Sequence, residues 1–177
     1  MRVFKTLLIT GLIVLVSAVA FISSGLYPIG ADNPNTRVGY WALETLRERS
    51  VANASKDIVV PALDDPKLLL SGGPDYNEMC ASCHLKPGKT ESDLSLGLYP
   101  VPPNLTTSHG DHGDGLEQRF WIIKHGIKAS GMPAWGLTHD DQRIWAMVAF
   151  LQKLPELTRL QYQILTARTS SDEEHGH

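Results

Sequence analysis

The feature that most restricts this chain is the run Cys80-Ala81-Ser82-Cys83-His84, which holds its only two cysteines. The C-x-x-C-H spacing is typical of covalent haem attachment. The two thiols would add to the vinyl groups of one porphyrin, and His84 would offer an imidazole nitrogen to the iron. A zinc site needs two more Cys or His ligands at similar spacing. A thioredoxin-type redox pair needs a βαβ context. The sequence shows neither, so it predicts one haem c.

A second candidate ligand is Met132, in the segment Gly131-Met132-Pro133-Ala134-Trp135-Gly136. The flanking Gly and Pro restrict the backbone, so the thioether can be held rigidly against the opposite face of the iron. A His/Met pair raises the reduction potential and suits electron transfer. Met79 and Met147 are interpreted as packing residues. Four histidines remain alternatives to the methionine: His109, His112, His125 and His139.

The proline-rich loop Pro102-Pro103-Asn104-Leu105-Thr106 supplies a candidate partner for His84. A ligating imidazole almost always donates its other N–H to an acceptor, which fixes its tautomer and ring orientation. We expect the Pro103 carbonyl to be that acceptor, with Pro102 as the alternative. A simple rigid turn would explain the same prolines.

The N-terminus carries Arg2 and Lys5 before a nearly uncharged run from Thr6 to Tyr27. A cleaved signal peptide would use Ala18-Val19-Ala20 as its small-residue site. A retained anchor needs about twenty apolar residues, and here apolarity continues beyond Ala20. We favour the anchor, with the two cations on the cytoplasmic side. Both interpretations place the rest of the chain outside the cytoplasm.

The remaining chain is predicted to be helical, in one domain with extensions. A first helix should be capped by Asp65 and start at Pro66, and Gly72 and Gly73 suggest its close contact with the last helix. We expect four segments: 1–27, an anchor or signal; 28–67, a linker with a short helix from Thr36 that Asn35 can cap; 68–155, the haem domain; 156–177, an extension and polar tail.

The last helix is predicted to start with Thr138 as its cap, with Asp141 completing an acidic capping box, and to stop at Pro155. Two other segments, Ser108–Gly115 and Ser170–His177, are polar and are interpreted as solvated. A metal ion in the first of them would use His109, Asp111, His112 and Asp114.

The chain has 177 residues, a net charge of −3 and a pI near 6.1, which give no case for a nucleic-acid partner. Because haem is attached covalently outside the cytoplasmic membrane in bacteria, the motif itself predicts export.

Residues from about Leu68 to Leu154 resemble the monohaem class I cytochrome c family, and the haem domains of membrane-anchored cytochrome c subunits of terminal oxidases in particular. The resemblance rests on C-A-S-C-H, P-P-N-L-T, I-K-H-G-I-K-A-S-G-M-P-A-W-G and D-D-Q-R-I-W-A-M-V-A-F-L. It implies an all-α fold in which the first and last helices cross beside the haem. It also implies that Cys80 and Cys83 hold the haem and that His84 and Met132 ligate it.

The expected function is single-electron transfer by a protein tethered to the bacterial cytoplasmic membrane, with its haem domain in the periplasm. It would be an electron carrier in a respiratory chain and not an enzyme. Its partners would be redox proteins, including a membrane oxidase or reductase complex. Two alternatives stay open: a gas sensor or redox enzyme with an open sixth site, and a fixed relay subunit of a larger complex.

Overall fold

The computed structural model describes residues 1–107 and 115–168, and all regular secondary structure within these two ranges is helical. This confirms the predicted all-α class. The possible metal ligands His109, Asp111, His112 and Asp114 lie outside the described residues, as does the polar tail from residue 170.

The first of two compact units is Met1–Pro34, and its main element is α1 (Arg2–Ser23). Every side chain of this helix is exposed. Its 22 residues are long and apolar enough to cross a membrane, a property that signal sequences share.

The second unit begins at Asn35 and contains the remaining helices. Its first helix, α2 (Arg37–Ser55), is capped by Thr36, whose side chain accepts from the Gly39 N–H. The predicted cap, Asn35, is therefore one residue too early. Val51 and Ser55 are the buried positions of α2, on a helix that packs against the later helix Leu116–His125. This segment is thus part of the compact unit.

The helix that leads into the cysteine motif is α3 (Pro66–Asp75). As predicted, Pro66 is its first residue and the Asp65 side chain accepts from the Lys67 N–H at 2.9 Å. The backbone then continues through one π-helical turn, Tyr76–Cys80, into the short helix α4 (Ala81–His84). Single π turns occur mostly within helices and frequently at functional sites.

Four more α-helices follow, with short 3₁₀ turns at Trp135–Leu137 and Leu154–Glu156. They are α5 (Asp93–Gly97), α6 (Leu116–His125), α7 (Asp141–Lys153) and α8 (Arg159–Leu165).

The predicted start of the last domain helix was wrong. Its cap is Asp140, whose carboxylate accepts from the Arg143 N–H at 2.8 Å. The Thr138 hydroxyl donates to the Trp135 carbonyl at 3.3 Å, because the 3₁₀ turn before it leaves that acceptor within reach.

Helices α3 and α7 approach each other at Gly72, as the sequence predicted, because a Cβ added there would lie 2.2 Å from the Ala146 carbonyl oxygen. Gly73 instead approaches the backbone of α8, where an added Cβ would lie 2.3 Å from the Leu165 carbonyl oxygen. Around this contact the core forms two clusters of buried side chains. One contains Tyr76, Ala81, Phe150, Leu154 and Tyr162, and the other contains Phe120, Ile123, Ile144, Met147 and Val148.

Replacing Gly72 with alanine should destabilise the protein by about 1–3 kcal/mol, because the new methyl group meets backbone atoms of α7 that cannot turn aside. Chemical unfolding of the full-length holoprotein in detergent measures the change. Gly97→Ala is the matched control, since a Cβ there meets nothing within 4 Å. Equal losses in the two variants would contradict a crossing that depends on glycine.

Candidate functional site

His84 lies at the end of α4, and its Nδ1 is 2.9 Å from the Pro103 carbonyl oxygen. The contact fits the tautomer in which Nδ1 donates and Nε2 keeps its lone pair. Burial lowers the pKa of His84, and the hydrogen bond to Pro103 partly opposes that effect. The lowered pKa favours the neutral imidazole, which is the form in which a histidine binds a metal.

The backbone just after His84 is held by Tyr76, a fully buried residue that the sequence analysis did not single out. Its hydroxyl donates to the Leu85 carbonyl at 2.7 Å and lies 3.3 Å from that of His84. Leu85 has a φ of 70°, in the left-handed region that a leucine rarely adopts. Tyr76 therefore fixes the point at which the chain leaves the helix. Nothing in the local sequence distinguishes a tyrosine in this role from one that only packs.

The thiols of the motif occupy consecutive turns, with Cys80 at the end of the π turn and Cys83 in α4. Both are half-buried and free. Burial raises the pKa of the free Cys80 thiol to about 12, and the nearby Asp75 carboxylate and Cys83 add to this. Both sulfurs are thus available for bonding to another group.

Met132 lies in the loop between α6 and α7, and hydrogen bonds fix its backbone on both sides. Its N–H donates to the Ser130 hydroxyl at 3.1 Å, and its carbonyl accepts from the Ile127 N–H at 3.2 Å. Gly126 has a φ of 64°, and a Cβ there would come within 2.7 Å of the Met132 oxygen. The side chain of Met132 is half-buried against the cluster that contains Phe120.

The other methionine and histidine candidates, and Trp135, make packing or ring contacts. Met147 is buried in the core cluster, and Met79 and Trp135 pack against the same cluster as Met132. His125 is exposed beside Trp121, with ring centroids 4.9 Å apart. His139 is half-buried and edge-on to Trp135, with ring centroids 5.6 Å apart.

The described donor set fits a covalently attached haem. It provides two free thiols on one helical segment, a neutral imidazole with an available lone pair, and a thioether on a rigid loop. Within residues 1–107 and 115–168, no group of three or more His, Cys, Asp or Glu side chains is arranged to hold a metal ion. These ranges therefore offer no zinc site that would compete for the cysteines.

Replacing Tyr76 with phenylalanine should cost about 1–2 kcal/mol of stability, because the Leu85 carbonyl loses its donor in a buried position. Denaturant unfolding of the holoprotein tests this. Tyr40→Phe, on the exposed side of α2, removes the same hydroxyl from a ring that is 44% exposed and should leave stability nearly unchanged. A Tyr76→Phe protein as stable as this control would contradict the anchoring role.

Comparison with known proteins identifies the central segment. Residues 68–151 match the family model described as cytochrome c oxidase, cbb3-type, subunit III. No match was found among curated proteins or among solved structures. The matched segment contains the cysteine motif, Pro103 and Met132, and proteins of this family carry covalently attached haem c. Residues 68–151 of this chain are therefore similar to a family of haem c proteins, and the match is consistent with a monohaem class I cytochrome c.

Proposed function

We propose that this protein is a membrane-tethered carrier of single electrons, acting through one His/Met-ligated haem c in a respiratory chain. The observation that carries the proposal is the His84 imidazole, which is engaged at Nδ1 by Pro103 and keeps Nε2 as an electron-pair donor. The family match of the surrounding segment supports the same conclusion.

In this proposal Cys80 and Cys83 attach the porphyrin, and His84 and Met132 are the axial ligands. Pro103 orients His84. When bound, the haem supplies a one-electron ferrous–ferric couple. The chain holds the imidazole through Pro103 and Tyr76 and holds the thioether through the hydrogen-bonded loop around Met132. Ligands fixed in this way stay bound in both oxidation states, which suits transfer and not catalysis at an open iron.

The Met132→Leu variant should lose the methionine–iron charge-transfer band of the ferric protein. It should also bind carbon monoxide when reduced and have a lower reduction potential, since axial ligands span a range of about 0.8 V. Met147→Leu, a similar change at a buried core position, should keep the band and exclude carbon monoxide. A wild-type protein that lacks the band and binds carbon monoxide rapidly would instead favour the gas sensor or redox enzyme.

A second candidate function is a fixed relay subunit of a terminal oxidase, and the description of the matching family favours it. The same haem chemistry serves a free carrier and a relay, so the sites above apply to both.

We propose that α1 remains as the anchor, with Arg2 and Lys5 on the cytoplasmic side and the haem domain in the periplasm.

Cell fractionation should place this chain in the membrane fraction, and a mild neutral detergent should then extract it. A relay subunit should co-purify in constant ratio with proteins that contain haem or copper, because a stable complex survives such extraction. A free-standing carrier should elute alone. Recovery of the chain in the soluble periplasmic fraction would contradict the anchor in both versions.

A further inference from the structure

A basic cleft of about 450 Å³ lies between the turn that follows the haem motif and the C-terminal extension. We define it by six of its lining residues: Asn77, Lys86, Lys89, Arg159, Tyr162 and Gln163. Its α8 wall lies beyond the segment that matches the family model, which ends at residue 151. The volume is in the range of sites for small ligands.

Contacts across its base hold the two walls of the basic cleft together. Arg159 Nη2 donates to the Gly88 carbonyl at 3.2 Å, and Tyr162 donates its hydroxyl to Asn77 Oδ1 at 2.9 Å. Gly88 has a φ of 82°, and a Cβ there would lie 1.9 Å from Arg159 Nε. The guanidinium therefore lies against the backbone of the turn at Gly88, whose left-handed φ favours glycine.

The charge of the cleft has one sign. Lys86, Lys89 and Arg159 line it, and no Asp or Glu of residues 1–107 and 115–168 does. None of these three cations forms an ion pair with a carboxylate of the described residues, whereas Lys124, Arg143 and Arg168 each do. Such a field attracts anions.

Neutral donors add to the same lining. Because the Tyr162 hydroxyl donates to the Asn77 side-chain oxygen, the amide NH₂ of Asn77 is left to donate, and Gln163 supplies a second amide to the lining. A phosphate group presents three or more acceptor oxygens and can engage several donors together. Three cations with two amides match more than one phosphate group better than they match a single carboxylate.

We propose that the basic cleft binds a small ligand that carries phosphate groups. The concave shape and the walls fixed across the base favour a small molecule over a flat protein surface. Two sources share this chemistry, a free polyphosphate and a lipid headgroup of the membrane to which the chain is tethered. The proposal does not depend on which residues ligate the haem.

The test is calorimetric titration of the full-length holoprotein, in a neutral detergent at low ionic strength, with inorganic pyrophosphate. We expect one site whose affinity falls as salt is added, because the cations are exposed. Arg159→Gln should weaken binding at least tenfold, and so should Lys86→Gln with Lys89→Gln. The second variant leaves the Arg159–Gly88 contact in place, so it tests the charges if the first disturbs the fold.

The matched control is the double variant Lys56→Gln with Lys67→Gln, which removes two cations elsewhere on the same compact unit. Its affinity for pyrophosphate should stay within twofold of that of the wild type. A lipid with two phosphate groups, added to the detergent micelles as a competitor, distinguishes the sources: displacement of pyrophosphate at equal or higher affinity indicates a headgroup, and much weaker displacement indicates a free polyphosphate. Absence of pyrophosphate binding at millimolar concentration would overturn the proposal, as would equal weakening in the control or no weakening in the cleft variants.

Discussion

The close approach of α3 and α7 is the constraint on which the rest of the haem domain depends. It exists because Gly72 lets the helix lie against the backbone of Ala146, where any side chain would collide. The approach brings Asp75 to Arg143, which donates to both of its carboxylate oxygens at 2.6 and 2.7 Å. Asp75 is only 4% exposed, so this pairing offsets part of the cost of burying its charge. The hydrogen bond to Asp75 raises the pKa of Arg143.

From the contact between α3 and α7, a series of contacts leads to the haem motif. Tyr76 follows Asp75 directly and lies against Phe150 of α7, with ring centroids 5.4 Å apart. Its hydroxyl holds the backbone at Leu85, and Pro103 holds the imidazole of His84. The His84 imidazole is thus connected through Tyr76 and the backbone of the motif to the contact between the two helices.

The C-terminal extension contacts the segments on both sides of the haem motif. Before it, Tyr162 bonds to Asn77, and Arg168 pairs with Glu78 at 2.5 Å. After it, Arg159 contacts Gly88. These bonds join parts of the chain that are about seventy to ninety residues apart, so they add stability only after the domain has closed. They also give the protein a surface that the family segment alone would lack.

Much of the structure could be predicted from local pattern. The capped start of α3 at Asp65 and Pro66, the all-helical class and the glycine contact of Gly72 each depend on neighbouring residues or on one steric rule, and each was predicted correctly. The start of α7 was predicted wrongly, because Thr138 and Asp140 are both competent caps. The 3₁₀ turn at Trp135 decides between them. The cap of α2 was misplaced by one residue because Asn35 and Thr36 are both competent caps.

The sequence by itself predicted the haem chemistry that we propose for this protein. Two cysteines, a histidine and a methionine at their spacings predict the haem, because the reactions they can undergo depend on residue type and order. Only the tertiary structure decided which groups hold them. Tyr76 became the anchor of the motif, and Lys86, Lys89 and Arg159 came to line one cleft. These roles depend on distances between residues far apart in the chain, and such distances are set by packing and not by local propensity.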